Sequence, residues 1–255
     1  MLKLTIFLLP FLMTVHLDRA PDGVESPSER SLNKEHSSVL VFSKTAGFRH
    51  NSIEAGIEAV KGLGEANGFS VTATENSDYF TPENLAGYGA VIFLNTTGTL
   101  FNDEQRAAFK AYIQSGGGFV GIHSATDTEY DWPWYGGLAG AYFDNHPNNP
   151  NVLQAELIVK NPDHLSTAEL PDRWVREDEW YNFGMISDHI QVLIELNTDS
   201  YVGSDHPGNH PASWYQEYDG GRAFYTAMGH TSETFSEELF LKHLLGGIFY
   251  AMGRE

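Results

Sequence analysis

From residue 37 onward, short unbroken apolar runs alternate with stretches of helical spacing. Ser38 to Ser43 (SVLVFS) reads as a buried strand, and Asn51 to Leu63 sets Ile53, Ile57, Val60 and Leu63 at helical spacing behind a capping-box-like Asn51 and Glu54. Phe69 to Thr74 alternates as a second strand, Thr81-Pro82 opens a short helix, and Ala90 to Leu94 (AVIFL) is a third strand with no polar face. Asn102 to Ser115 predicts a capped helix burying Ala108, Phe109, Tyr112 and Ile113; Gly116 to Gly118 end it before a fourth strand, Phe119 to Ile122. Strands apolar on both faces need cover on both sides. Repeated strand–helix alternation therefore predicts an α/β fold, a three-layer αβα sandwich around a mostly parallel sheet.

The second half is less regular. Gln154 to Val159 and Gln191 to Leu196 read as strands, Ser213 to Tyr218 and Arg222 to Met228 as a hairpin across Asp219-Gly220-Gly221, and Glu237 to Tyr250 as a closing helix with Leu239, Phe240, Leu244 and Ile248 inward. Tyr130 to Trp180 reads as an excursion from the sheet. With no repeat or linker to divide it, residues 37–255 are expected to form one domain. Ahead of it, Lys3 and the apolar run Leu4 to Val15 fall short of the ~20 residues of a membrane span but have the form of a signal peptide. Residues 1–20 are thus expected to be a signal peptide, although Pro10 and Asp18 depart from the ideal, and residues 21–36, rich in Ser, Glu and Pro, a flexible leader. The mature chain is then periplasmic or secreted, with no membrane span.

Composition narrows the chemistry. None of the 255 residues is cysteine, which excludes disulfides, thiolate metal sites and a cysteine nucleophile, so any metal must sit on His, Asp or Glu. Lys+Arg of 15 against Asp+Glu of 34 gives a net charge of −19, which repels phosphate backbones and argues against a nucleic-acid partner. No nucleotide cofactor is expected either, because Gly116 to Gly118 precede a strand instead of following one.

In open α/β sheets ligands bind outside the carboxyl ends of the strands, so the residues just after each strand carry the information. Here they are polar: Lys44 to His50 before a helix N-terminus, Asn95 to Gly98, His123 to Asp127, and Gly229-His230-Thr231. In a parallel sheet His50, His123 and His230 converge on one cleft. Gly121 to Ala125 sits where a nucleophile elbow would, but the register puts His123 in the serine position, which excludes a serine hydrolase of that type. His123, His230 and Glu179 are the candidate ligands for a divalent metal, without support from a tight spacing such as HExxH. Trp132 and Trp134 read as a sugar-stacking wall or as packing for an irregular loop. His146-Pro147 and His210-Pro211 read as loops that reach the cleft or as turns. Glu179 reads as a solvated surface acid or as a carboxyl buried among Trp174, Trp180, Tyr181 and Phe183 and shifted upward.

Six separated blocks then resemble the trehalose-utilisation, ThuA-like family: FSKTAGFRH ending at His50, GFVGIHSATDT from Gly118, DWPWYGGLAGAYFDNHP from Asp131, DEWYNF from Asp178, HPASW from His210 and GRAFYTAMGHT from Gly221. The resemblance implies a fold similar to flavodoxin-like and class I glutamine amidotransferase domains. Where those amidotransferases carry a nucleophilic cysteine this chain has His123, so glutamine hydrolysis by that route is excluded. It also implies a carbohydrate-processing role, with a companion oxidoreductase that makes 3-keto-glycosides. Eliminating a 3-keto-glycoside needs a base, an electrophile for the enolate oxygen and an acid for the leaving alcohol. The expectation is an exported hydrolase- or lyase-type enzyme acting on a glycoside or 3-keto-glycoside by acid/base or metal-assisted cleavage. Its catalytic groups would be His123, His230, Glu179 and His50, with Arg49, Asp127, Trp132, Trp134, Tyr181, His146 and His210 binding substrate. The alternatives are a non-catalytic carbohydrate-binding module and a partner-binding scaffold.

Overall fold

A computed structural model describes residues 37–254, so the expected signal peptide and leader lie outside the described residues. The first half follows the predicted alternation: β1 (Ser38–Phe42), α1 (Ile53–Asn67), β2 (Ser70–Thr74), α2 (Pro82–Leu85), β3 (Ala90–Leu94), α3 (Asp103–Gln114) and β4 (Gly118–Ile122). After it come α4 (Pro133–Ala139), β5 (Ala141–Asn145), β6 (Val152–Val159), β7 (Arg173–Glu179), β8 (Asn182–Ile186), β9 (Gln191–Leu196), β10 (His210–Tyr218), β11 (Gly221–Thr226) and α5 (Glu238–Met252). The main sheet has nine strands in the order β2-β1-β3-β4-β11-β10-β9-β6-β7, while β5 and β8 form a separate pair.

The pairs from β2 to β11 are parallel. From β11 onward each pair is antiparallel, so strand direction reverses at every step. Four reversals separate β11 from β7, which restores the original direction. The carboxyl end of the far edge strand therefore points the same way as those of β1, β4 and β11.

The inner parallel strands β1, β3, β4 and β11 each feed two cores. Val39, Val41, Ile92, Leu94, Val120 and Ile122 face α1 and α5 in one core built with Val60, Phe240, Leu244 and Ile248. Leu40, Phe42, Val91, Phe93 and Phe119 face the other, with Phe109 and Tyr112 of α3 and Tyr135 and Leu138 of α4. This is the three-layer sandwich that doubly apolar strands require. Among the described residues, no helix is long and apolar enough to cross a membrane.

Two local expectations are corrected. The capping box on Asn51 and Glu54 does not form: Ser52 stands at the N-cap of α1 without a side-chain cap bond, and its hydroxyl donates to the Gly229 carbonyl at 2.9 Å. By contrast, Asn102 and Gln105 do close a reciprocal box on α3. Within the 130–180 excursion lies β7, whose burial inverts its hydrophobicity. Val175 is 57% exposed, whereas Trp174, Arg176 and Asp178 alternate inward.

Burial also sets a pH response. His243 of α5 is fully buried, its Nδ1 3.0 Å from the Ser166 carbonyl, and burial holds its pKa down to about 3 from 6.5. The unfolded chain takes up this proton near 6.5 and the native state does not, so the stability is fully present above about 6.5 and is lost as pH falls toward 3. Urea unfolding is expected to weaken by up to about 1.4 kcal/mol per pH unit per such group below pH 6. His243→Leu should flatten the slope by one proton's share; an unchanged slope would contradict the assignment.

Candidate active site

Four side chains from four carboxyl-end segments meet at one point. His50 precedes α1, His123 follows β4 directly, Glu179 ends β7 and His230 lies just past β11. One donor atom from each lies within 4.8 Å of those of the other three. Glu179 Oε2 is 3.3 Å from His123 Nε2 and 3.1 Å from His230 Nδ1, and these two nitrogens are themselves 3.3 Å apart. The His50 ring stands edge-on to those of His123 and His230, at centroid distances of 4.8 and 5.1 Å.

Each group is oriented from behind. His123 sits at φ +49°, a left-handed turn that costs a non-glycine residue of order 1 kcal/mol and swings the ring off the strand end. Its Nδ1–H donates to the Ala227 carbonyl at 2.8 Å, which fixes the tautomer and turns Nε2 toward the cluster. Glu179 Oε1 accepts from Asn151 Nδ2 at 2.8 Å, with His146 Nε2 at 3.5 Å. Ser124 Oγ lies 3.4 Å from His50 Nδ1.

The neighbouring Asp178 joins the two sides. Its fully buried carboxylate accepts from the backbone N–H groups of Glu179, Gly229 and His230, each at 3.0 Å, from Thr234 Oγ1 at 3.1 Å and from Arg176 Nη1 at 2.9 Å. Arg176 also donates to Glu237 and Thr234. Gly229 must be glycine here: its φ is +124°, and a Cβ would come 2.8 Å from an Ile122 methyl.

Electrostatics divide the cluster. Burial alone would raise the Glu179 carboxyl, but the adjoining His123 and His230 rings and the hydrogen bond from Asn151 hold it well below the usual carboxylate range. This corrects the upward shift expected of a buried carboxyl. Burial, reinforced by the neighbouring His123 and His230, pushes His50 down to about 2, so it is neutral. His230 is raised: burial opposes its charge, but the bond to Glu179 outweighs that. Asp127 is raised by burial.

The cluster opens on a cavity of about 320 Å³ walled by Phe48, Phe143 and Tyr181, with Asp127, His146 and Asn151 on its polar side. Four of the residues expected to contact substrate are not there. Arg49 is spent on Glu54 and Glu75 at 2.7 and 2.8 Å in solvent. Trp132 and Trp134 stack on each other at 4.9 Å beneath Arg106 and Lys110 of α3, and Trp134 Nε1 donates to Asp219. They pack the loop and form no part of the cavity wall. His210 is fully buried behind Tyr181, donating from Nε2 to its carbonyl at 2.8 Å.

Phe48, Phe143, Asn151 and Asp178 were not singled out by sequence as site residues. For Asp178 a signal existed: Arg176 and Asp178, opposite in charge, share one face of a strand two residues apart. Asn151 follows a loop proline and carries no signal.

The family model described as ThuA, trehalose utilisation, matches residues 38–251. The chain is a member of the ThuA family. Among solved structures, a ThuA-like protein of Bacteroides uniformis is 22% identical at a TM-score of 0.70, over 85% of this chain and 91% of that one. Another from Parabacteroides merdae is 19% identical at a TM-score of 0.66, over 85% and 90%. The carbohydrate deacetylase Agd3 is 16% identical at a TM-score of 0.56, over 83% of this chain but 32% of its own. At these identities the likeness is one of fold. No curated protein matches the ThuA-family chain by sequence.

The Asp178 network generates a stability test. Removing one partner of a buried ion pair costs about 3–5 kcal/mol, because the other charge is left unpaired. Asp178→Ala should therefore lower unfolding stability by that amount, read in a denaturant titration. A loss under 1 kcal/mol would mean that Arg176 finds another partner.

Proposed function

We propose that this ThuA-family protein is a carbohydrate-processing enzyme that cleaves a glycoside or 3-keto-glycoside in the cavity beside His50, His123, Glu179 and His230. The observation that carries the reading is the contact of an anionic Glu179 with His230 and His123 at the floor of an aromatic-walled cavity. About 320 Å³ lies at the small end of the range for small-molecule sites, which suits one sugar ring. Membership of a trehalose-utilisation family supports the substrate class.

Between the two substrates, the keto-sugar suits the residues better. A ketone acidifies the adjacent C–H, so a base of only modest strength at the His–Glu cluster can take that proton. The electron pair forms an enolate, which then expels the glycosidic oxygen from the neighbouring carbon. Asp127, raised by burial and on the same cavity, is placed to protonate the leaving oxygen. Phe48, 66% exposed at the mouth, and Tyr181 offer apolar faces to the ring, in the role first expected of the tryptophans. A companion oxidoreductase would supply the keto group.

The reading is tested with 3-keto and unmodified disaccharides. The wild type should release the aglycone sugar from the keto substrate. His230→Ala should lose about 10²–10⁴ in rate with the fold intact, as removal of acid–base help does. Sugar binding without turnover on either substrate would favour a binding module. Export belongs to the same proposal: N-terminal sequencing from the native host should find a start between residues 20 and 36 outside the cytoplasm. An intact Met1 in the soluble cytoplasmic fraction would end it.

A further inference from the structure

We propose that His50, His123, Glu179 and His230 form a four-donor site for one divalent transition-metal ion of the zinc class. Geometry carries this. His123 Nε2, His230 Nδ1 and Glu179 Oε2 form a nearly equilateral triangle with sides of 3.3, 3.1 and 3.3 Å. Metal–nitrogen and metal–oxygen bonds of about 2.0–2.1 Å in a tetrahedron place donor atoms about 3.3–3.4 Å apart. Three of the four donors already stand at that spacing, and the fourth, on His50, completes a set within 4.8 Å.

Proton counting points the same way. With Nδ1–H committed to the Ala227 carbonyl, His123 turns its other ring nitrogen, Nε2, toward a Glu179 oxygen 3.3 Å away. Unless that nitrogen carries a proton, nitrogen and oxygen are two acceptors facing each other in a buried place, a cost that a cation between them removes. A single proton on His230 Nδ1 can be shared with both, yet it leaves the His123–Glu179 contact unbridged. A central ion meets all three atoms at once.

The surroundings have the form that metal ligands require. A ligating imidazole donates its other N–H to a carbonyl or carboxylate, as His123 does, and a ligating carboxylate is held by an outer donor, as Asn151 holds Glu179. Asn151 Nδ2 is 3.4 Å from His230 Nε2, too long to dictate that ring's tautomer. Three imidazoles and one carboxylate select zinc-class ions over calcium or magnesium, which take oxygen ligands. Such an ion faces the cavity, and a carbonyl oxygen would reach it only as a fifth ligand or by displacing one of the four. The inference shares its residues with the carbohydrate reading, so the readout is metal itself.

Untagged full-length protein is stripped with a chelator, dialysed, and titrated calorimetrically with Zn²⁺, Mn²⁺ and Mg²⁺. Expected are one equivalent of Zn²⁺ bound, no comparable Mg²⁺ binding, and a rise in Tm with Zn²⁺. His123→Ala and His230→Ala should weaken Zn²⁺ by at least about 100-fold, while the exposed His189→Ala leaves it unchanged. Should the site variants misfold, Co²⁺ added to the stripped wild type gives a second readout, the intense visible bands of a four-coordinate site. Absent Zn²⁺ binding by the folded wild type, Mg²⁺ bound as tightly as Zn²⁺, or unaltered affinity in the folded site variants would overturn the proposal. Stoichiometric metal with no sugar turnover sinks the carbohydrate reading alone, and turnover unaffected by complete chelation, with no metal retained, sinks the metal.

Discussion

A buried carboxylate with five donors around it, that of Asp178, decides whether there is a site at all. Glu179 comes from the far edge of a nine-stranded sheet, whereas His230 and His123 come from its parallel centre. Sheet hydrogen bonds alone do not bring these together. Asp178 does so by accepting from the backbone of Glu179 on one side and of Gly229 and His230 on the other. Arg176 neutralises the charge that burial would otherwise penalise, and Thr234 and Glu237 hold Arg176 in turn. Such a network is worth having only when every member is satisfied. Its loss would remove the bonds that tie the backbone of Glu179 to that of Gly229 and His230.

The parallel half was legible because its physics is local. AVIFL and GFVGI have no polar face, so they must be covered twice, and the helical spacing between them supplies the cover. The positions of His50, His123 and His230 followed from strand direction alone. The far half was harder because β7 presents Val175 outward and Arg176 and Asp178 inward, the reverse of what hydrophobic alternation implies. Only a partner elsewhere in the chain, the 229–234 loop, makes that inversion favourable. Local pattern cannot show it, although two opposite charges on one strand face are a signal that it could occur.

The aromatic residues show the same division between local and tertiary causes. Sequence singled out Trp132 and Trp134 for their size and closeness, and closeness is what removes them from the cavity, since they stack on one another and on cationic residues of α3. The cavity wall comes instead from scattered residues, Phe48, Phe143 and Tyr181, that no run of sequence unites. Tyr181 is set by His210 behind it and packs on His123 at a centroid distance of 4.2 Å. His210 thus acts on the cavity through Tyr181's backbone and never reaches the cavity itself.

The turn after β4 explains how one scaffold can host unrelated chemistries. At φ +49° the residue there is lifted off the strand and aimed across the carboxyl ends, whatever its side chain. Here it is a histidine whose Nδ1–H is tied to the next strand's exit, at Ala227. That bond prevents the ring from acting as a free, rotating base and leaves it with one inward nitrogen. A fixed inward nitrogen is what a ligand or a positioned proton acceptor needs. The Ala227 bond fixes what this position offers, so function here has to be argued from the His–Glu cluster and not from the fold.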